Sequence, residues 1–210
     1  MTRTVPLVNN QMVTGSLDGM PPNAADTRRR ILEAARSEFA KHGLAGARVD
    51  RIAEAGNVNK RSIYVHFGPK DTLFDIIVAR SLTEMAEAVP FTVEDLPGYA
   101  GALFDYLIEH PEVLRLTSWA GLERSSASDD EVAAYTPKIA ELSEKFGRDA
   151  ADILALLLGQ VTAWQYASPA LRAHSPEDPW SPDRLNRHRA LLVTSVTSLI
   201  DTAEKVHREG

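Results

Sequence analysis

The stretch that most constrains this chain runs from Ile52 to Phe67, where two short helical patterns are separated by only a few residues. Ile52 and Ala53 belong to an apolar helical face, and Gly56-Asn57 is a stop signal, because both residues tolerate the left-handed backbone found just past a helix end. Val58 is the apolar plug between the helices, and Asn59 suits an N-cap whose side-chain oxygen accepts from a free backbone N–H. The second helix is expected over residues 60 to about 67, with Ile63 and Phe67 four apart on its inward face. The rest of its surface carries two cations, two hydroxyls and an imidazole, groups suited to nucleic acid. A helix, a tight turn and such a second helix make a helix-turn-helix, whose second helix enters the major groove.

The flanks extend the pattern. Upstream stand Thr27-Arg28-Arg29-Arg30-Ile31-Leu32-Glu33-Ala34-Ala35, then Phe39, Gly43-Leu44 and Val49; downstream stands Gly68-Pro69-Lys70-Asp71-Thr72-Leu73. Over about residues 27–75 the chain resembles the DNA-binding head of the TetR family of transcriptional repressors. That family carries T-R-x-x-I-L-x-A-A, the helix-turn-helix and an aromatic-x-H-F-x-x-K segment in this order. The family usually places threonine or serine before the second helix, as cap and phosphate contact; Ala47-Arg48 stands here instead.

Composition sets outer bounds. The 210 residues suffice for one large or two small domains, and 44% apolar with 25% charged residues is ordinary for a soluble chain. With no cysteine there is neither a disulfide framework nor a thiolate metal site, which fits a reducing, cytoplasmic setting. No apolar run approaches the roughly 18 residues of a membrane span, and the N-terminus lacks the apolar core of a signal peptide. The net charge of −6 argues against a generally basic binder, but it is unevenly distributed. Residues 26–75 hold ten Lys/Arg against seven Asp/Glu, whereas residues 76–210 hold twelve against twenty-one. A basic head on an acidic body is expected if only the head meets phosphates.

The expected fold is all-α: a three-helix head joined by a long fourth helix to a helical body. Residues 1–25, with Gly15, Gly19, Pro21 and Pro22, read as a flexible arm with one cation, Arg3; residues 26–75 as the head; residues 76–210 as the effector-binding and dimerisation domain. The first helix should run from Asp26 or Thr27 to His42 with Gly43 as its stop, and the second from about Val49 to Ala55. The fourth should run from Pro69-Lys70-Asp71 to about Val89, stopped by Pro90. Body helices are expected from Leu96 or Pro97 to His110, Pro111 to Arg124, Glu131 to Phe146 with an interruption at Pro137, Arg148 to Ala167, and Pro182 to His207. The helix over 148–167 is apolar nearly all round, so both its faces should be buried.

Candidate DNA contacts follow from position. Lys60 and Arg61, with Ser62 and Val65, lie in the half of the recognition helix that reads base edges; Lys and Arg suit guanine, and an apolar group meets a thymine methyl. Asn59 caps that helix beside them. The resemblance makes Tyr64 a phosphate contact. Two roles are open to His66, a backbone phosphate or packing against the first helix. Arg48 offers a guanidinium where the family has a hydroxyl. Lys70 stands at the free N–H groups opening the fourth helix, a ready anion site. Arg28 to Arg30 oppose the dipole of the first helix, which points to an external anionic partner.

The resemblance further implies a homodimer through helices 148–167 and 182–207, a palindromic operator, and a small-molecule effector that shifts the fourth helix. Candidate lining groups are Phe104, Leu107, Leu114, Trp119, Phe146, Trp164 and Tyr166, which would suit a mostly apolar ligand. No cofactor, metal site or enzymatic activity is expected: the six histidines form no i,i+4 pair, and no H-E-x-x-H, G-x-S-x-G, P-loop or G-x-G-x-x-G is present. The alternative is a DNA-binding helical scaffold whose body binds a protein partner instead.

Overall fold

The structure, a computed structural model, describes residues 22–209. Among them are ten α-helices and two short 3-10 turns. The arm expected over residues 1–25 lies outside the described residues as far as residue 21; residues 22–25 are already helical. The first helix, α1 (Pro22–Gly46), bends at Gly43, whose φ of 66° and ψ of −175° interrupt it. The expected stop is therefore a kink, followed by one more turn. α2 (Val49–Ala55) and α3 (Lys60–Phe67) complete the head, and α4 (Lys70–Ala88) leads away from it.

The turn between α2 and α3 is built from its own residues. Asn57 takes a left-handed φ of 48°. The Val58 N–H reaches the Ala53 carbonyl at 3.0 Å and the Asn57 N–H the Glu54 carbonyl at 3.1 Å, the paired bonds that satisfy a helix C-terminus. Gly56 itself is in ordinary helical geometry. Its lack of a side chain serves proximity, because a Cβ there would sit 3.2 Å from the Arg30 carbonyl oxygen. Asn59 then caps α3, its Oδ1 accepting from the Arg61 N–H at 2.8 Å.

Ile31, Phe39, Ile52, Ile63, Leu73 and Phe74 fill the head core, with the Phe39 and Phe74 rings edge to face at 5.1 Å. Such a pair contributes about 0.5–1.5 kcal/mol beyond its area burial. The head core does not end at the head: it takes in Leu116 and Ala120 of the body.

The body comprises α5 (Leu96–Glu109), α6 (Pro111–Glu123), α7 (Asp129–Phe146), α8 (Ala150–Tyr166), the single turn α9 (Pro169–Arg172) and α10 (Pro182–Glu209). α7 is continuous through Pro137, correcting the expected interruption. Proline removes one backbone donor, and here the freed Ala133 carbonyl belongs to an exposed residue. A capping box between Ser128 and Glu131 starts the helix. Between α8 and α10, where no helix is expected, lies α9, capped by Ser168. The body core joins Leu103, Phe104 and Leu107 of α5 with Leu142 and Phe146 of α7, and these with Leu154, Leu157 and Val196 of α8 and α10.

One expectation about burial fails within a single chain. α8 buries Ile153, Leu154, Leu157, Val161 and Trp164, but Leu156 is 54% exposed on its other face. Ala155, Gly159 and Ala163 are exposed beside it.

Head and body are held by ion pairs as well as by core. Arg124, at the end of α6, reaches Asp75 of α4 and Glu131 of α7, both at 2.5 Å. Arg36 of α1 pairs with Glu84 of α4 at 2.5 Å and Glu112 of α6 at 3.4 Å. The Glu123 carboxylate accepts from the Leu44 and Ala45 N–H groups at 2.5 and 3.2 Å, across the kink at Gly43.

Candidate nucleic-acid interface

α3 presents its residues in rows set by the helical period. Ile63 and Phe67 point inward and are buried. Lys60 with Tyr64, and Arg61 with Val65, form two adjacent outward rows and are exposed. Ser62 and His66 make the half-buried row between interior and solvent. Val65 is 73% exposed and Tyr64 47%, values that mark an apolar and an aromatic group held in water on a rigid helix. The short turn and the Asn59 cap fix the direction in which the rows point.

The cations of this face differ in availability. The Arg61 guanidinium makes no ion pair among the described residues. Lys60 does not stand free: its Nζ lies 2.6 Å from Asp50 of α2. That hydrogen bond and charge hold the Asp50 carboxyl below its usual range and raise the lysine above its own. Arg48 projects into solvent, its Nη2 3.9 Å from Asp50, while its backbone N–H donates to Glu38 at 2.9 Å. Asp50 was not legible as part of this face, since its contact with Lys60 forms only once α2 and α3 are packed.

Lys70, opening α4, is half-buried and donates to the Ala47 carbonyl at 3.1 Å. It thereby ties the start of α4 to the strand of backbone entering α2. Glu38 ties the same loop from the other side, accepting from Arg51 and from the Arg48 N–H. Its burial raises the carboxyl, but these donors and the Arg51 charge outweigh that and hold it below its usual range.

The basic cluster at the start of α1 is turned largely inward. Arg28 donates to the His66 carbonyl at 3.4 Å and stacks 4.5 Å from the centroid of Phe67. Arg30 donates to the Asn57 and Gly56 carbonyls at 3.0 and 3.3 Å, closing the turn from behind. Arg29 lies between Asp26 and Glu33 at 2.6 and 2.9 Å. Arg28 and Arg30 brace the motif, whereas the exposed Arg29 pairs within α1. The His66 ring packs tilted beside Phe67 at 6.2 Å.

The groups expected to line an effector site separate into three places. Phe104, Leu107, Phe146 and Trp164 lie together in the body core, with Leu114 packed against it. Trp119 does not join them; it packs on the head core, where it abuts Gly43. α6 has two buried faces, and Trp119 falls on the one turned to the head. Tyr166 is 58% exposed, its hydroxyl bonded to Ser118, so it lies outside the core as well. A narrow cleft of about 20 Å³ enters the body between Leu82 and Met85 of α4, Tyr99 of α5, Lys138 of α7 and Leu154 of α8. A larger one, about 610 Å³, lies between α1 and α4 over Leu32 and Ile77. Its rim includes Arg29, Arg36 and Glu84, already paired within the protein.

Comparison with known proteins agrees with this architecture. Residues 31–77 match the family described as bacterial regulatory proteins, tetR family, and residues 95–197 match the tetracyclin repressor-like C-terminal domain. The solved structure of the transcriptional regulator SCO4942 from Streptomyces coelicolor is 36% identical, with a TM-score of 0.70, covering 82% of this chain and 97% of that one. The transcriptional repressor SCO4008 of Streptomyces coelicolor is 40% identical over 127 residues, 60% of this chain and 62% of the relative. The repressor NicS of Pseudomonas putida is 31% identical over 114 residues, 50% of this chain and 54% of the relative. This chain thus spans less than two thirds of the length of either curated relative. No helix among the described residues is long and apolar enough to cross a membrane.

Proposed function

The chain belongs to the TetR family of transcriptional regulators, and from that premise we propose a homodimeric repressor that binds a palindromic operator and is released by a small molecule. The observation that carries the DNA-binding half is the outward face of α3. Lys60, Arg61, Tyr64 and Val65 are exposed there on a helix locked by its turn and cap. Arg61 and Val65 suit base edges; Tyr64, Arg48 and Lys70 suit phosphates. Such a regulator works on the bacterial nucleoid, in the cytoplasm.

The second copy is supported by the uncovered face of α8 and α10. Leu156 on α8 and Leu191 on α10, 54% and 70% exposed, lie among Ala155, Gly159, Ser195 and Ser198. Small residues let helix backbones approach, and the leucines supply apolar area that one chain leaves in water. A symmetric dimer would set two α3 helices about 34–36 Å apart, one turn of DNA.

The effector reading is supported by the placement of the body cleft, one of whose walls is α4 itself. Since about 20 Å³ holds no organic ligand, binding must part α4 from α5, α7 and α8. α4 starts at Lys70, directly after the recognition helix, so its displacement changes the spacing of two heads. A ligand favouring the parted state then lowers operator affinity by its differential affinity for the two states. The four core residues, with Leu114, would furnish the apolar surface exposed as the site opens.

Sedimentation velocity tests the dimer. The chain should sediment as twice its 23.0 kDa mass at micromolar concentration. The double variant Leu156→Glu, Leu191→Glu should be monomeric and should lose roughly 10²–10⁴ in operator affinity as the second half-site contact ceases to be intramolecular. A wild-type monomer with undiminished affinity would overturn the reading.

A further inference from the structure

Lys138 is a half-buried cation that the fold leaves without a carboxylate. In the body, Arg124, Lys145 and Arg189 each have a carboxylate oxygen within 2.9 Å. Lys138 has none within ion-pair distance among the described residues. Its Nζ donates to the Tyr99 hydroxyl at 3.2 Å and stands 5.9 and 5.6 Å from the ring centroids of Phe91 and Tyr99. Burial lowers this ammonium's pKa from the usual lysine value and pushes the Tyr99 phenol up to about 12. Tyr99 is therefore neutral and supplies no compensating charge.

An ammonium held this way costs free energy unless an anion completes it. Lys138 lines the narrow body cleft together with Tyr99 and Tyr135, and the apolar side chains of Leu82, Met85 and Leu154 line it as well. The lining of the cleft thus combines one cation and two phenolic residues with apolar side chains. Since Tyr99 accepts from Lys138, its own O–H remains a donor, and Tyr135 brings a second phenol. One positive charge with phenolic donors matches a singly charged carboxylate; a phosphate dianion would leave a negative charge uncompensated in an apolar cleft.

We propose that Lys138 anchors the carboxylate of a small amphipathic ligand, whose apolar tail enters the cleft between α4, α7 and α8. The identification of this ligand as the effector rests on the reading above; the carboxylate site does not. An apolar tail agrees with the mostly apolar effector expected from the sequence, and the head group adds a charge that no apolar stripe announced.

The test uses the full chain and four probes: octanoate, phenylacetate, octanamide and phenylacetamide. Calorimetry should show at least one carboxylate binding tenfold or more tighter than the amide of the same tail. Lys138→Met should abolish that preference, and Lys138→Arg should keep part of it, with circular dichroism melts confirming that both variants fold. Equal binding of acid and amide, a preference that survives Lys138→Met, or no binding by any probe would each overturn the proposal. Release of a fluorescent operator duplex is measured separately. Lys138-dependent carboxylate binding without release would uphold the anion site and overturn the effector reading.

Discussion

Arg61 and Tyr64 stand three residues apart on one helix, yet they should fail in different ways when changed. A phosphate contact carries no base information, so Tyr64→Phe should weaken binding by a similar factor on every duplex. Arg61→Ala should relax preference at particular base pairs, by about 1–3 kcal/mol for a bidentate contact. Binding measured on a set of single-substitution duplexes separates the two; uniform loss for Arg61→Ala would remove it from base readout. Lys60 gives a third case. Its ammonium is held by Asp50 at 2.6 Å, and DNA must compete with that carboxylate. Asp50→Asn should therefore raise affinity several-fold and steepen the fall of log K with log salt by about one, as one more cation displaces a counterion. An unchanged salt slope would show that Lys60 meets no phosphate. What was legible at this scale was chemistry between near neighbours. Asn59 could be read as a cap because its acceptor and the Arg61 N–H are two residues apart. The partners of Arg28 and Arg30 could not, since the carbonyls they brace lie 38 and 27 residues along the chain.

Among the elements, α6 joins the two halves, with Leu116 and Ala120 in the head core and Val113 in the body core. The sequence did not show that the apolar residues of α6 serve two different cores, so Trp119, a candidate lining group of the body, packs instead on the head core. The kink in α1 is where α6 docks. Gly43 has backbone angles nearly closed to other residues, and a Cβ there would lie 2.8 Å from both Trp119 and the Glu123 carboxylate. Gly43→Ala should cost roughly 1–3 kcal/mol from the backbone alone. At about 2–4 °C per kcal/mol for a chain of this size, thermal denaturation should fall by several degrees, with weaker DNA binding as the head loosens. An unchanged melting temperature would mean that the kink bears no strain-relieving role for glycine. The helix boundaries themselves were readable because punctuation is local: Gly68-Pro69 before α4, Pro90 after it, and Pro111 between α5 and α6. Pro137 misled because a proline on an exposed helix face loses a hydrogen bond without having to break the helix.

At the scale of the molecule, charge and exposure divide the labour. The head carries the excess of cations and the body the excess of anions, so DNA is drawn to one end. The body leaves Leu156 and Leu191 uncovered on adjoining helices. Between head and body α4, 19 residues and roughly 28 Å long, borders the cleft that holds Lys138. The all-round apolar character of α8 was visible in the sequence; its second face, uncovered in one chain, is where the proposed second copy would pack. The cleft was not visible, because its wall is assembled from four helices and its one cation sits on a mainly polar helix.

In the proposed dimer two such heads read one operator together. Selection of bound duplexes from a random DNA pool at near-physiological salt tests it most directly. Two paired heads should enrich an inverted repeat with half-sites about one helical turn apart. Enrichment of a single half-site, or of no sequence with binding that vanishes as salt rises, would contradict it.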